Sequence, residues 1–199
     1  MEKVIIIHFN HNFWFNTTLI VYKRLSYKLS NMPEKEFHIV QKLNLVSDNF
    51  RIKEKGGTDV YQVKGNPTAF GSQSYFQTMD GTELAALEQT NGTKMSPWKK
   101  FVWKKDGKPW AMAKQEDWGA LDKKEIYVDI PGENDYKIVG DRMAWSFKIL
   151  KADVEVGSVD KKWGVTDTYG VRVAEGADEV DVLLCGILID QVYHDNKKK

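Results

Sequence analysis

The sequence predicts a mainly β domain, a closed antiparallel barrel of about twelve strands around a buried hydrophobic C-terminal helix. Three observations predict it. Short runs of alternating polar and apolar residues follow one another from Glu36, separated by turn signals at intervals of roughly ten to twenty residues. Helical periodicity is scarce before the last segment. That segment, Val182-Leu183-Leu184-Cys185-Gly186-Ile187-Leu188-Ile189, is apolar around its whole circumference, so a helix built from it must be enclosed on every side or sit in lipid.

The strands can be justified in order. Phe37 to Leu45 alternates in part, Asn49 to Lys53 follows Ser47-Asp48, and Gly56-Gly57 turns into Asp59 to Val63, which makes a hairpin. Gly65-Asn66-Pro67, Asp80-Gly81, Asn91-Gly92, Asp106-Gly107, Pro131-Gly132, Gly140-Asp141 and Gly157-Ser158 are the further turn signals. Between them lie candidate strands at Ser74 to Thr78, Glu83 to Gln89, Trp98 to Lys104 and Pro109 to Ala113. Lys124 to Val128, Asp135 to Val139, Met143 to Ile149, Val154 to Val159 and Thr168 to Val173 complete the set.

The closing helix is expected over about residues 178–193. Asp178, Glu179 and Asp181 crowd its front, where the backbone N–H groups favour negative charge. About sixteen residues rise about 24 Å, short of a hydrocarbon core of about 30 Å. A helix apolar all round at the end of an all-β chain therefore points to a filled barrel lumen. Leu183, Leu184, Ile187 and Leu188 are its expected core residues.

Composition narrows the function classes. The chain has 199 residues, 42% of them apolar, which suits one domain with a sizeable core. Its 29 Lys plus Arg against 28 Asp plus Glu leave a net charge of +1, so no global field draws it to nucleic acid. The single cysteine, Cys185, forbids an intramolecular disulfide and fits a reducing compartment. The sequons at Asn16 and Asn91 do not change that reading.

Residues 1–33 are expected to form an N-terminal extension, laid against the domain or poorly ordered, ahead of a barrel domain over 34–196 and a basic tail at 197–199. From Val4 to Tyr22 the chain lacks Lys, Arg, Asp and Glu, but Asn10, Asn12 and Asn16 break the apolar run, which disfavours a membrane span. Translated sequence upstream of a start at Met32 is a further reading. His8 and His11 have no acidic or thiol neighbour to complete a metal site.

The residues also resemble known proteins. Lys42 to Gln89, KLNLVSDNFRIKEKGGTDVYQVKGNPTAFGSQSYFQTMDGTELAALEQ, resembles the opening of LURP-one-related proteins, with its Tyr61-x-Val63-Lys64-Gly65 strand and Asp80-Gly81-x-Glu83-Leu84. Asp167 to Asp190, DTYGVRVAEGADEVDVLLCGILID, resembles that family and also the phospholipid scramblases. Both belong with the Tubby C-terminal domain in one superfamily. The resemblance covers roughly residues 36–196, rests on the order of these segments, and implies a twelve-stranded closed barrel around a buried C-terminal helix.

Catalytic chemistry is poorly represented. The four histidines are scattered, no nucleophile stands at a family spacing from a base, and the glycines lie in hairpin context. No enzyme activity, cofactor or metal is expected. The scramblase resemblance implies paired acids before an aromatic-Gly step, but Val165 stands where the first would be and leaves Asp167 alone. One carboxylate is a poor calcium site. Asp160, Asp178 and Asp181 could join it only through the fold.

The most suggestive surface is basic. Lys94, Lys99, Lys100, Lys104, Lys105 and Lys108 stand against the single acid Asp106, interleaved with Trp98, Phe101, Trp103 and Trp110. Lysines beside tryptophans suit an anionic membrane surface, and Trp98 and Trp103 are the expected interface aromatics. Strand alternation puts Lys99, Phe101 and Trp103 on one face and Lys100, Val102 and Lys104 on the other, so the pattern is not cleanly segregated. Arg51, Lys53 and Lys55, and Lys123-Lys124, are second candidates.

The resemblance to Tubby, whose domain binds phosphatidylinositol bisphosphate, implies recognition of anionic phospholipid or phosphoinositide head groups. The expected protein is a cytoplasmic monomer, peripheral at a membrane face. An intracellular protein-interaction scaffold is the alternative, and lipid scrambling a third reading that Asp190 and the short apolar run disfavour.

Overall fold

The computed structural model describes residues 34–42, 49–68, 71–90, 100–116, 123–131, 135–141, 145–162 and 168–193. All of them belong to one compact unit, Glu34–Lys199. The strands are β1 (Glu34–Lys42), β2 (Asn49–Glu54), β3 (Asp59–Thr68), β4 (Gly71–Thr78), β5 (Glu83–Gln89), β6 (Lys100–Lys105), β7 (Lys108–Glu116), β8 (Lys123–Asp129), β9 (Tyr136–Asp141), β10 (Ser146–Lys151), β11 (Val154–Lys162) and β12 (Thr168–Ala174). One helix, α1 (Glu179–Tyr193), follows. Each strand pairs antiparallel with its neighbours in the chain, and β1 closes on β12 with Phe37 opposite Val171.

Alternation decides which residues fill the barrel. In β2, Phe50 and Ile52 point inward and are buried, while Asn49, Arg51 and Lys53 face out. β1, β10 and β12 repeat the pattern with Phe37 and Ile39, Phe147 and Ile149, and Tyr169, Val171 and Val173. Helix α1 is buried continuously from Asp181 to Tyr193. Leu183, Leu184, Ile187 and Leu188 are all within 1% of full burial, as an enclosed helix requires.

Three glycine-based turn expectations were wrong. Gly65-Asn66-Pro67 does not turn; β3 runs on to Thr68, with Asn66 opposite Gln73 and Pro67 opposite Ser72. Among the described residues the β2 side of β3 is paired only as far as Val63, and there the missing N–H of proline breaks no ladder. Gly140 and Gly157 lie inside β9 and β11. They are close-packing positions: a Cβ on Gly140 would strike the Phe147 ring, and one on Gly157 would lie 2.6 Å from Val182 Cγ1. The readings placed on residues 1–33 lie outside the described residues.

Candidate functional site

The β6–β7 hairpin carries the described part of the predicted basic run. Asp106 and Gly107 both have positive φ, 51° and 70°, as a two-residue hairpin turn demands. That turn sets Lys105 opposite Lys108 and, beyond a register shift at Trp103/Lys104, Val102 opposite Met112 and Lys100 opposite Lys114. Met112 is 49% exposed. The outer face thus places an apolar pair beside two lysines held abreast; Lys108, paired with Lys105 rather than with this face, is exposed at the tip.

The inner face corrects two expectations. Phe101, Trp103 and Lys105 share the parity that points into the barrel. Trp103 is fully buried, stacks on Trp110 with ring centroids 6.4 Å apart, and cannot serve as a membrane-interface aromatic. Lys105 reaches the first turn of α1, with Nζ 2.9 Å from Asp181 Oδ1 and 3.8 Å from the centre of the Trp110 ring. Lys104 faces out but is ion-paired with Glu88, and that hydrogen bond lowers the Glu88 carboxyl from its ordinary value. Lys94, Trp98 and Lys99 lie outside the described residues.

Polar side chains anchor the helix at both ends. At its start, Asp178 Oδ1 accepts a hydrogen bond from the Asp181 N–H (3.0 Å), which caps the first turn. Glu179 accepts from Lys35 and from the Tyr61 hydroxyl, each at 2.7 Å. Burial first and Glu179 second push the Tyr61 phenol up to about 12. At the far end, Tyr169 donates to Asp190 and Gln191 donates to Ser74. Lys161, buried on β11, has Nζ 4.8 Å from the centre of the Trp145 ring.

These pairings bear on the other chemistries. Asp160 accepts from Ser146 (2.7 Å) and faces Arg172 (3.5 Å), Asp178 caps α1, and Asp181 faces Lys105, so each acid weighed for calcium has a structural partner. Asp167 is outside the described residues. Among the described residues no group of three His, Cys, Asp or Glu side chains is placed to hold a metal. Cys185 is wholly buried, and burial pushes its thiol well above the ordinary value, which makes it a packing residue.

A second basic surface lies on the outer faces of β1, β2 and β3. Of the second-rank candidates, Lys53 lies 3.5 Å from Asp59 and Lys55 2.8 Å from Glu36. Arg51 is placed differently. With Lys42 and Lys64 it lines a cleft of about 430 Å³ that also has Asn49 and Gln62 in its wall. Sequence reasoning named neither Lys42 nor Lys64 as a binding residue. Strand alternation could have put Lys64 on the outer face with Gln62, but only the β2–β3 register sets it near Arg51. The described part of Lys123-Lys124 is its place in β8, where these residues pair with Asp141 and Gly140.

No helix among the described residues is long and apolar enough to cross a membrane. No curated protein sequence matches the chain. An X-ray structure of a protein from Arabidopsis thaliana is similar in fold, with a TM-score of 0.54 at 15% identity over 80% of this chain and 91% of that one. The family model described as LURP-one-related matches residues 35–190, from the first residues of β1 to Asp190 in α1. The chain belongs to the LURP-one-related family.

Proposed function

We propose that the protein is a non-enzymatic, peripheral binder of anionic phospholipid head groups, phosphoinositides included, acting through the outer face of the β6–β7 hairpin. The observation that carries this is the register of that hairpin: Lys100 abreast of Lys114, next to Val102 and the half-exposed Met112, with Lys108 at the tip. Like charges held side by side favour an anionic surface above them. Each cation near such a surface contributes about 1 kcal/mol, and an exposed methionine alongside can rest at the acyl boundary. The resemblance to the Tubby domain supports the same ligand class. Lys94 and Lys99, close by in sequence, extend the basic run.

The test is co-sedimentation of the full chain with phosphatidylcholine vesicles, with and without phosphatidylinositol bisphosphate, at low and moderate salt. Binding should require the anionic lipid and weaken with salt. The variant K100E/K108E/K114E should bind at least roughly tenfold more weakly. Lys104 and Lys105 are left intact, because reversing either would set like charges against Glu88 or Asp181. Absence of binding, or equal binding by the variant, would overturn the proposal and favour the protein scaffold.

A further inference from the structure

We propose that the cleft between β1, β2 and β3 is a binding site for a compact phosphate-bearing anion, distinct from the β6–β7 face. It is built from three adjacent strands. Lys42 ends β1 opposite Asn49, Arg51 stands opposite Gln62, and the Phe50–Val63 pair brings Asn49 level with Lys64. Three cations thereby converge on a cleft of about 430 Å³, within the usual size range of small-ligand sites.

Among the described residues no carboxylate lines this cleft. Three nearby acids are engaged by other cations: Asp59 by Lys53, Glu36 by Lys55, and Glu179 of the helix by Lys35. Arg51 donates one N–H to the Met79 sulfur at 3.1 Å, a weak acceptor for so strong a donor. Its planar fork suits two oxygens of a phosphate, and the two lysines supply point charges around it. An anion with a single negative charge would leave most of that positive field uncompensated.

The walls are held in place. Asn49 Oδ1 accepts from the Gly65 N–H (3.0 Å) and ties β2 to β3 at the rim. Gln62, nearly buried at 9% exposure, donates its side-chain N–H to the Thr78 carbonyl (3.2 Å). Such fixing lowers the ordering cost when an anion binds. Neutral amides beside cations also suit a hydroxylated ligand such as a sugar or inositol phosphate. A lipid head group and a free phosphate ester share this chemistry.

The experiment titrates the full chain with inositol trisphosphate and with inorganic phosphate by calorimetry. In parallel, the hairpin variant K100E/K108E/K114E is sedimented with phosphatidylcholine vesicles that contain or lack phosphatidylinositol phosphate. Using that variant for the vesicle arm separates this site from the proposed membrane face. Expected is saturable binding at one site, weakened roughly tenfold by Arg51→Gln and also by the double variant K42Q/K64Q. Lys53→Gln, whose side chain is paired with Asp59, should leave it unchanged. Binding of the soluble probes assigns a free phosphate ester, and binding only to vesicles assigns a lipid head group; either supports the site. The double variant changes two exposed side chains, so it remains a test if Arg51→Gln fails to fold. Binding of none of the probes, or binding indifferent to both cleft variants, would overturn the proposal.

Discussion

At the scale of single residues, glycine serves two opposed purposes in this barrel. Gly107 has positive φ in a hairpin turn, whereas Gly157 lies within β11 because α1 passes too close for a side chain. Gly157→Ala would press Cβ to 2.6 Å from Val182 Cγ1 and 2.7 Å from the Arg172 carbonyl oxygen. Backbone cannot swing aside, so a loss of about 1–3 kcal/mol is expected in urea unfolding. Gly186→Ala comes close only to the far end of Ile39, at 2.9 Å, with Val171 and Val159 at ordinary contact distances, and alanine raises helix propensity. Its change should stay within about 1 kcal/mol. Equal losses at the two positions would contradict the close approach of α1 to β11. Asp181 supplies a different residue-level test. Burial raises its carboxyl from the ordinary value, against the opposing pull of Lys105. The folded chain therefore holds this proton more tightly than the unfolded chain. The stability it contributes is full below the unfolded pKa near 3.8 and is lost as pH rises through the raised folded value. Relative to Asp181→Asn, the urea midpoint of the wild type should fall as pH rises from about 4. Parallel midpoint curves would refute this.

At the scale of elements, α1 depends on the barrel more than on itself. Its acidic first turn and Asp178 cap favour a helix start, but a segment buried continuously from Asp181 to Tyr193 has no face to offer water. Leu184→Asp or Ile187→Asp would place a charge among apolar side chains at a cost of several kcal/mol, comparable with the stability of a whole domain. Neither variant should give soluble protein with a cooperative thermal transition. Cooperative folding of both would defeat the enclosed-helix architecture. The strands were legible for the complementary reason, since period-2 alternation is imposed by one apolar and one wet face. β5 has the expected bounds, Glu83–Gln89, and β1 to β3 differ mainly at their ends. Turn readings failed where glycine or proline sat within a strand, because local sequence does not distinguish a positive-φ requirement from a close neighbour. Ala152 and Asp153, with φ of 50° and 61°, form a turn that carries no glycine signal at all.

At the scale of the whole molecule, closure of β1 on β12 pairs every strand on both sides and leaves the barrel no free edge. The lumen this creates is filled by α1, with Lys105–Asp181 and Tyr61–Glu179 at one end and Tyr169–Asp190 and Gln191–Ser74 at the other. The basic run was visible as composition, yet composition could not say which lysines face water. Lys105 entered the helix anchor, Lys104 met Glu88, and Lys114 joined Lys100 from the opposite strand. Lys42, Arg51 and Lys64 come together over 23 positions of sequence only because three strands align. Sequence by itself determined the fold class, the run of strands and the enclosed helix, because apolar periodicity and helix length are local properties. Only the tertiary structure decided which charges share a surface, because register and barrel closure set distances between residues remote in the chain.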